Sequence, residues 1–165
     1  MNVLFLCVAN SGRSVLAEHL FRRAAGGRHD ARSAGSEPGT AAHPQVVEAL
    51  GELGIDVRAH VPRKLDDTAL AWADVAVSTC GDELCPVTPG VRRIGWVFED
   101  PKDLPLDRVR AIRDEIDRHV RDLLVELDAQ VGIAGCTAGG ARRPSSLTSG
   151  GLSADGDAFD SDRKA

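Results

Sequence analysis

Apolar positions along this chain fall into short continuous runs separated by helical stripes. Residues 2–8 predict a strand, with an apolar run from Val3 to Val8. Residues 13–25 then repeat apolar positions at helical spacing. Ala17, Leu20, Phe21 and Ala24 share one face, and Gly26-Gly27 closes the segment. Ala31 to Ala34 predicts a short strand. Pro44 opens a second helix with Val47, Leu50 and Leu53 facing inward, ending near Gly54. A short helix over Asp67 to Ala73 leads into a strand over Asp74 to Ser78, and Val91 to Trp96 predicts a fourth strand. Leu106 to Leu127 predicts the longest helix, because Val109, Ile112, Ile116, Val120, Leu123 and Leu127 recur at threes and fours. Strands alternating with helices predict an α/β fold, a single doubly wound sheet of about four parallel strands flanked by helices.

The periodicity stops near residue 129. Residues 131–165 contain seven Gly and five Ser, and their four basic and four acidic residues cancel. The expected organisation is therefore one domain over 1–128 and a disordered Gly/Ser-rich tail over 129–165. In open sheets of this kind, ligands bind beyond the carboxyl ends of the strands. Cys7 follows the first predicted strand, Cys80 the third, and Asp100 lies just past the fourth. Three chemical motifs thus converge on one edge.

The first of these motifs is the most informative. Cys7-Val8-Ala9-Asn10-Ser11-Gly12-Arg13-Ser14 joins a strand to a helix N-terminus through small, turn-forming residues. Loop amides and the positive end of a helix dipole together make an anion cradle. A cysteine at its mouth is driven toward thiolate by the same field. Arg13 offers a planar fork to two oxygens of a tetrahedral oxyanion. The spacing is that of a nucleophile with an oxyanion clamp; the plain alternative is a buried Cys7 with a surface Arg13. Asn10 and Ser14 are placed to brace the loop. Asp100-Pro101 is the second motif. Proline holds Asp100 extended, and an aspartate above an anion loop can protonate a leaving oxygen. Asp-Pro is also a common turn, and the anion loop with the flanking Trp96 and Phe98 favours the acid. The third is Cys80-x4-Cys85-Pro86. Bonded cysteines need Cα atoms about 4.4–6.8 Å apart, whereas five extended residues span up to roughly 17 Å. A bond between these two needs a turn, which Gly81 permits. Two small core residues are the alternative.

Taken together, these residues resemble the low-molecular-weight protein tyrosine phosphatase superfamily, which divides into phosphatases and thioredoxin-coupled arsenate reductases. Ser33-Ala34-Gly35, Ser78-Thr79-Cys80-Gly81-Asp82, Trp96-Val97-Phe98-Glu99-Asp100-Pro101 and Val109-Arg110 extend the match over about residues 1–128. Cys80 and Cys85, with Trp96-x-Phe98, point to the reductase branch. The resemblance implies arsenate as substrate and a catalytic set of Cys7, Cys80, Cys85, Arg13 and Asp100. Val8, Ala9, Asn10, Ser11, Gly12, Arg13 and Ser14 bind the oxyanion. Cys80 attacks the Cys7 adduct, Cys85 resolves the disulfide, and thioredoxin or a similar thiol reductant recycles the protein. The two relay cysteines are usually further apart in such reductases than here. Some members bind potassium near the loop, and Asn10, Glu18 and Ser33 match its ligands. The acidic ligand expected after His60 stands here as Arg63, so no metal is expected, and no cofactor.

A phosphatase acting on phosphotyrosine or small phosphoesters is the competing enzyme. It would want an aromatic lining beside Asp100, where Lys102 and Asp103 stand, and the chain has no Tyr, four Phe and two Trp. A non-enzymatic thiol sensor or arsenical-binding module would not need Arg13 or Asp100. A net charge of -5 disfavours a nucleic-acid partner. No apolar run reaches the ~20 residues of a membrane helix, and the apolar N-terminus reads as a strand, not a signal peptide. The expectation is a soluble cytoplasmic protein. Its four cysteines form one loose pair and two singles, not the two close pairs of a zinc site. Cys136, in the expected tail, reads as a bystander.

Overall fold

The computed structural model describes residues 1–81 and 90–137. Four strands, β1 (Asn2–Cys7), β2 (Asp30–Gly35), β3 (Val75–Ser78) and β4 (Arg92–Gly95), form one sheet in the order β2-β1-β3-β4. Every pairing is parallel. β1 is central and buried from Val3 to Cys7, which is why its sequence is continuously apolar rather than alternating. β4 lies at the edge and is largely exposed.

The helices are α1 (Arg13–Ala25), α2 (Pro44–Gly51), α3 (Asp67–Trp72) and α4 (Leu106–Thr137). One face of the sheet packs on α1, α2 and α4. There Phe5 meets Phe21 edge-on at 5.6 Å and Trp96 at 5.9 Å, beside buried Leu20, Val46, Leu50, Ile116 and Leu127. Burying each such side chain stabilises the fold by about 1.5–3 kcal/mol. The other face uses Leu4, Leu6 and Ala76 to hold Leu70 and Ala73 at α3. All six apolar positions predicted for the inner stripe of α4 are buried.

Local signals set most boundaries. Gly26 takes the left-handed conformation, φ 56°, and its N–H bonds the carbonyl of Arg22 to close α1. Asp66 accepts from the amide of Ala69 at 2.7 Å and starts α3. Two boundaries differ from expectation. α2 stops at Gly51, and Gly54 sits in the following turn at φ 77°. α4 runs past residue 128 to Thr137 and takes in the position of Cys136. An established helix adds residues without a new nucleation cost, so Gly132 and Gly135 do not stop it. The remainder of the expected tail, 138–165, lies outside the described residues, and so does Cys85.

Candidate active site

The loop between β1 and α1 has its carbonyls tied from behind. The amides of Ser36, Glu37, Gly39 and His43 donate to the carbonyls of Cys7, Val8, Ala9 and Ser11 at 3.3, 2.9, 2.8 and 2.9 Å. With these carbonyls held by the 36–43 segment, the loop runs into the first turn of α1, whose positive dipole end favours an anion. Two glycines permit the crowding. A Cβ on Gly35 would stand 2.4 Å from the carbonyl oxygen of Val8, and one on Gly12 would stand 2.8 Å from Cγ of Pro101. Asn10 holds a left-handed turn at φ 49°.

A cavity of about 470 Å³ opens over this loop, lined by Cys7, Val8, Ala9, Ser11, Gly12 and Arg13. Its far wall is Gly39, Thr40, Ala41, His43, Asp100 and Lys102. Cys7 is a buried free thiol. The neighbouring thiol of Cys80 acts most strongly on it and, with Ser14 and the amide of Asn10, brings its pKa down to about 5, against the opposing effect of burial. Ser14 Oγ lies 2.9 Å from Cys7 Sγ, and the Asn10 amide donates at 3.1 Å. Cys80 is shifted the other way: the Cys7 sulfur beside it and burial raise its pKa, while Arg13 and the amide of Val8 act to lower it. The pair therefore shares one proton, with the charge on Cys7.

Backbone geometry delivers Cys80 to that position. The hydroxyl and amide of Thr79 both bond the carbonyl of Leu6 at 2.8 Å. The amide of Gly81 bonds the carbonyl of Trp96 at 3.0 Å. The first two bonds lock the end of β3 against the end of β1, and the third ties the following segment to the end of β4. Arg13 is held by the carbonyl of Phe98 and by Asp100 Oδ2, each at 3.2 Å. Its guanidinium is already aimed, and the ring of Pro101 packs on Gly12. Asp100 is thus tied to Arg13 of the anion loop through Oδ2, while its side chain stays 57% exposed and its Oδ1 accepts the Lys102 amide at 3.0 Å.

The expected residues separate into two groups. Cys7, Val8, Ala9, Ser11, Gly12, Arg13 and Asp100 meet at the cavity, with Cys80 beside Cys7. The side chains of Asn10 and Ser14 lie beneath the loop, both fully buried. Asn10 Nδ2 donates to Ser14 Oγ at 3.0 Å and to Ser33 Oγ at 2.8 Å, so these two brace rather than line. Trp96 and Phe98 stack on each other and on His119 in the core instead of flanking the cavity. The wall formed by 39–43 was not anticipated; the glycine at 39 after Pro38 was its one trace in the sequence.

The potassium ligand set does not fit these residues. Asn10 Oδ1 already accepts the Arg63 amide at 2.8 Å, and the Ser33 hydroxyl donates to Glu18 Oε2. The oxygens are engaged with protein donors, and Arg63 supplies no acid.

Comparison with known proteins agrees with this geometry. The low molecular weight phosphotyrosine protein phosphatase family matches residues 2–132. "Arsenate reductase 2" of Staphylococcus epidermidis is 33% identical over 117 residues, covering 69% of this chain and 88% of that protein. "Arsenate reductase" of Halalkalibacterium halodurans is 35% identical over 128 residues, 72% of this chain and 91% of that protein. Among solved structures, the thioredoxin-dependent arsenate reductase of Corynebacterium glutamicum superposes with a TM-score of 0.66 at 34% identity, over 78% of this chain and 62% of that one. A low molecular weight protein tyrosine phosphatase from T. tengcongensis gives 0.69 at 26% identity, over 76% of this chain and 99% of that one.

Proposed function

The chain belongs to the low molecular weight phosphotyrosine protein phosphatase family, and from that premise we propose that it is an enzyme reducing arsenate to arsenite through a relay of three thiols. The observation that carries this reading is Cys80, a second thiol standing beside the acidic Cys7 and acting on its ionisation. Hydrolysis of a phosphoester has no use for it.

Arsenate enters the cavity against the loop amides and Arg13. The Cys7 thiolate attacks arsenic, and Asp100 protonates the departing oxygen, which leaves as water. Bonding to arsenic removes the negative charge from Cys7. The Cys7 thiolate beside it is the largest of the effects that keep Cys80 protonated and burial is the next, while Arg13 pulls its pKa down. Cys80 therefore becomes the better nucleophile once the adduct exists. It attacks Cys7 Sγ, the sulfur–arsenic electron pair stays on arsenic, and arsenite departs as Cys7 and Cys80 join in a disulfide. Cys85 then attacks Cys80, releasing Cys7 as thiolate and leaving a Cys80–Cys85 disulfide. A thioredoxin-type dithiol supplies the two electrons and two protons that restore it. No organic cofactor or metal takes part. The relatives named as arsenate reductases and the thioredoxin-dependent structural neighbour support this assignment.

Phosphatase activity is the second reading, favoured by the shared anion loop and by the phosphatase neighbour. Against it, the cavity lining holds no Phe or Trp among the described residues. One experiment separates the two. After a single turnover with arsenate, peptide mass spectrometry of Cys85→Ser should show a Cys7–Cys80 link and one equivalent of arsenite. Cys80→Ser should show neither. If both variants turn over like the parent with thioredoxin as reductant, the relay is wrong.

A further inference from the structure

Behind the catalytic loop lies a second group of donors that the thiol chemistry does not use. Glu18 and His19 are consecutive on α1, and His60 lies in the segment after α2. One donor atom from each of the three lies within 4.8 Å of the other two. The imidazole rings of His19 and His60 meet edge to face at 6.0 Å. Nε2 of His19 is buried and has no hydrogen-bond partner among the described residues. A buried imidazole nitrogen without a partner is costly unless something else occupies its lone pair or proton.

We propose that Glu18, His19 and His60 bind a divalent transition-metal cation of the zinc type. Two imidazoles and one carboxylate are a donor set suited to zinc, with the fourth position left to water. Bonds of about 2.0–2.2 Å in a tetrahedral site hold donor atoms roughly 3.4 Å apart. Drawing the three groups in from as much as 4.8 Å therefore asks for shifts of up to roughly 1.4 Å in their separations. Glu18 Oε2 accepts from Ser33, which orients the carboxylate, and Oε1 is ion-paired with Arg22 at 3.4 Å, a pairing the metal would replace. The set differs from the potassium ligands considered above, since nitrogen replaces oxygen at two of three positions. Its place also gives it a consequence. His60 Nε2 lies 3.2 Å from the carbonyl oxygen of Asn10, whose amide donates to the Cys7 sulfur. A metal at this point would staple α1 to the His60 segment directly behind the anion loop.

The test uses the full, reduced chain with zinc chloride in competition with a chromogenic zinc indicator, and cobalt chloride as spectroscopic probe. The parent should bind one zinc that His19→Gln and His60→Gln each bind more than about tenfold more weakly. Zinc should raise the parent's thermal midpoint with concentration and leave His19→Gln unmoved. The cobalt-loaded parent should show ligand-field bands without sulfur-to-metal charge transfer. Equal zinc affinity in the parent and both variants, or a cobalt spectrum dominated by charge transfer from thiolate, would place the metal on the cysteines and overturn the proposal. Should neither variant fold, X-ray absorption at the zinc edge of the parent decides: imidazole scattering supports the site, and an all-sulfur shell overturns it.

Discussion

Replacing Cys80 with alanine removes the neighbouring thiol, the donor that contributes most to the acidity of Cys7. In the parent, Cys7 ionises at about 5 instead of the ordinary 9.0. A hydrogen bond to a charged group is worth about 1.5–3 kcal/mol. At about 1.4 kcal/mol per unit, losing it should raise the Cys7 pKa by roughly one to two units, to between roughly 6 and 7. Ser14 and the Asn10 amide remain, and they keep the thiol well below its ordinary value. The assay is the rate of Cys7 alkylation by iodoacetamide against pH, read by mass spectrometry of the peptide carrying Cys7 in substrate-free protein. The rate follows the thiolate fraction, so its inflection reports the pKa. Serine at position 80 keeps a hydroxyl donor and should move the inflection less than alanine does. Ser14→Ala removes a smaller contribution and should also move it less. An inflection in Cys80→Ala that stays at the parent's pH would refute the shared proton, and with it the reason for reading Cys80 as the second thiol.

Three further outcomes follow from the same geometry. Because the folded Cys7 is depressed to about 5 and the unfolded thiol ionises at 9.0, its contribution to stability is complete above 9.0 and is lost as pH falls through about 5. Urea unfolding under reducing conditions should show the parent gaining on Cys7→Ser by about 1.4 kcal/mol per pH unit across that window, and a flat difference would contradict it. Arg13→Lys cannot hold both the Phe98 carbonyl and Asp100, so inhibition by inorganic phosphate should weaken by more than about tenfold; Asp100→Asn should keep phosphate binding while slowing adduct formation by about 10²-fold or more in single-turnover kinetics. Gly35→Ala drives a Cβ to 2.4 Å from the Val8 carbonyl oxygen and should cost about 1–3 kcal/mol in urea unfolding, an expectation that an unchanged midpoint would sink.

The sheet and its chemical edge were legible in the sequence because each rests on local signals. A buried parallel strand needs a continuous apolar run, and Val3 to Cys7 supplies one. A long helix against a sheet needs apolar residues at threes and fours, and α4 shows them from Val109 to Leu127. The meeting of Cys7, Cys80 and Asp100 followed from topology alone, since all three stand past the carboxyl ends of parallel strands. Other features carry no such mark. The hold of residues 36–43 on the anion loop is made by backbone amides, which any sequence possesses. Trp96 and Phe98 sit near Asp100 in the chain, yet alternation along an extended segment turns both into the core and leaves Val97 between them 78% exposed. The last turns of α4 look like tail because Gly132 and Gly135 lower helix propensity, but propagation from a packed helix overrides a local cost of about 1 kcal/mol for each. His19 and His60 gave no motif at all; only the crossing of α1 with the later segment brings them together.

An anion loop with an acidic cysteine can carry out the first step of either phosphoester hydrolysis or oxyanion reduction, since both begin with thiolate attack on a tetrahedral centre while an acid protonates the leaving oxygen. The chemistries part at the second step. Hydrolysis needs a water placed in line behind the cysteinyl adduct, whereas reduction needs a nucleophile aimed at sulfur instead. That nucleophile must also stay quiet beforehand, because a Cys80 thiolate beside the Cys7 thiolate would repel it and cost Cys7 its acidity. A single shared proton meets both demands. While Cys7 is free it holds the charge and Cys80 the proton; once Cys7 is bonded to arsenic, the largest of the effects that raise Cys80 is relieved, burial still opposes its ionisation, and the attraction of Arg13 favours it. On this argument the order of the relay is set by where one proton sits between two sulfurs, and the same Arg13 that clamps the oxyanion helps to release the second thiol at the moment it is needed.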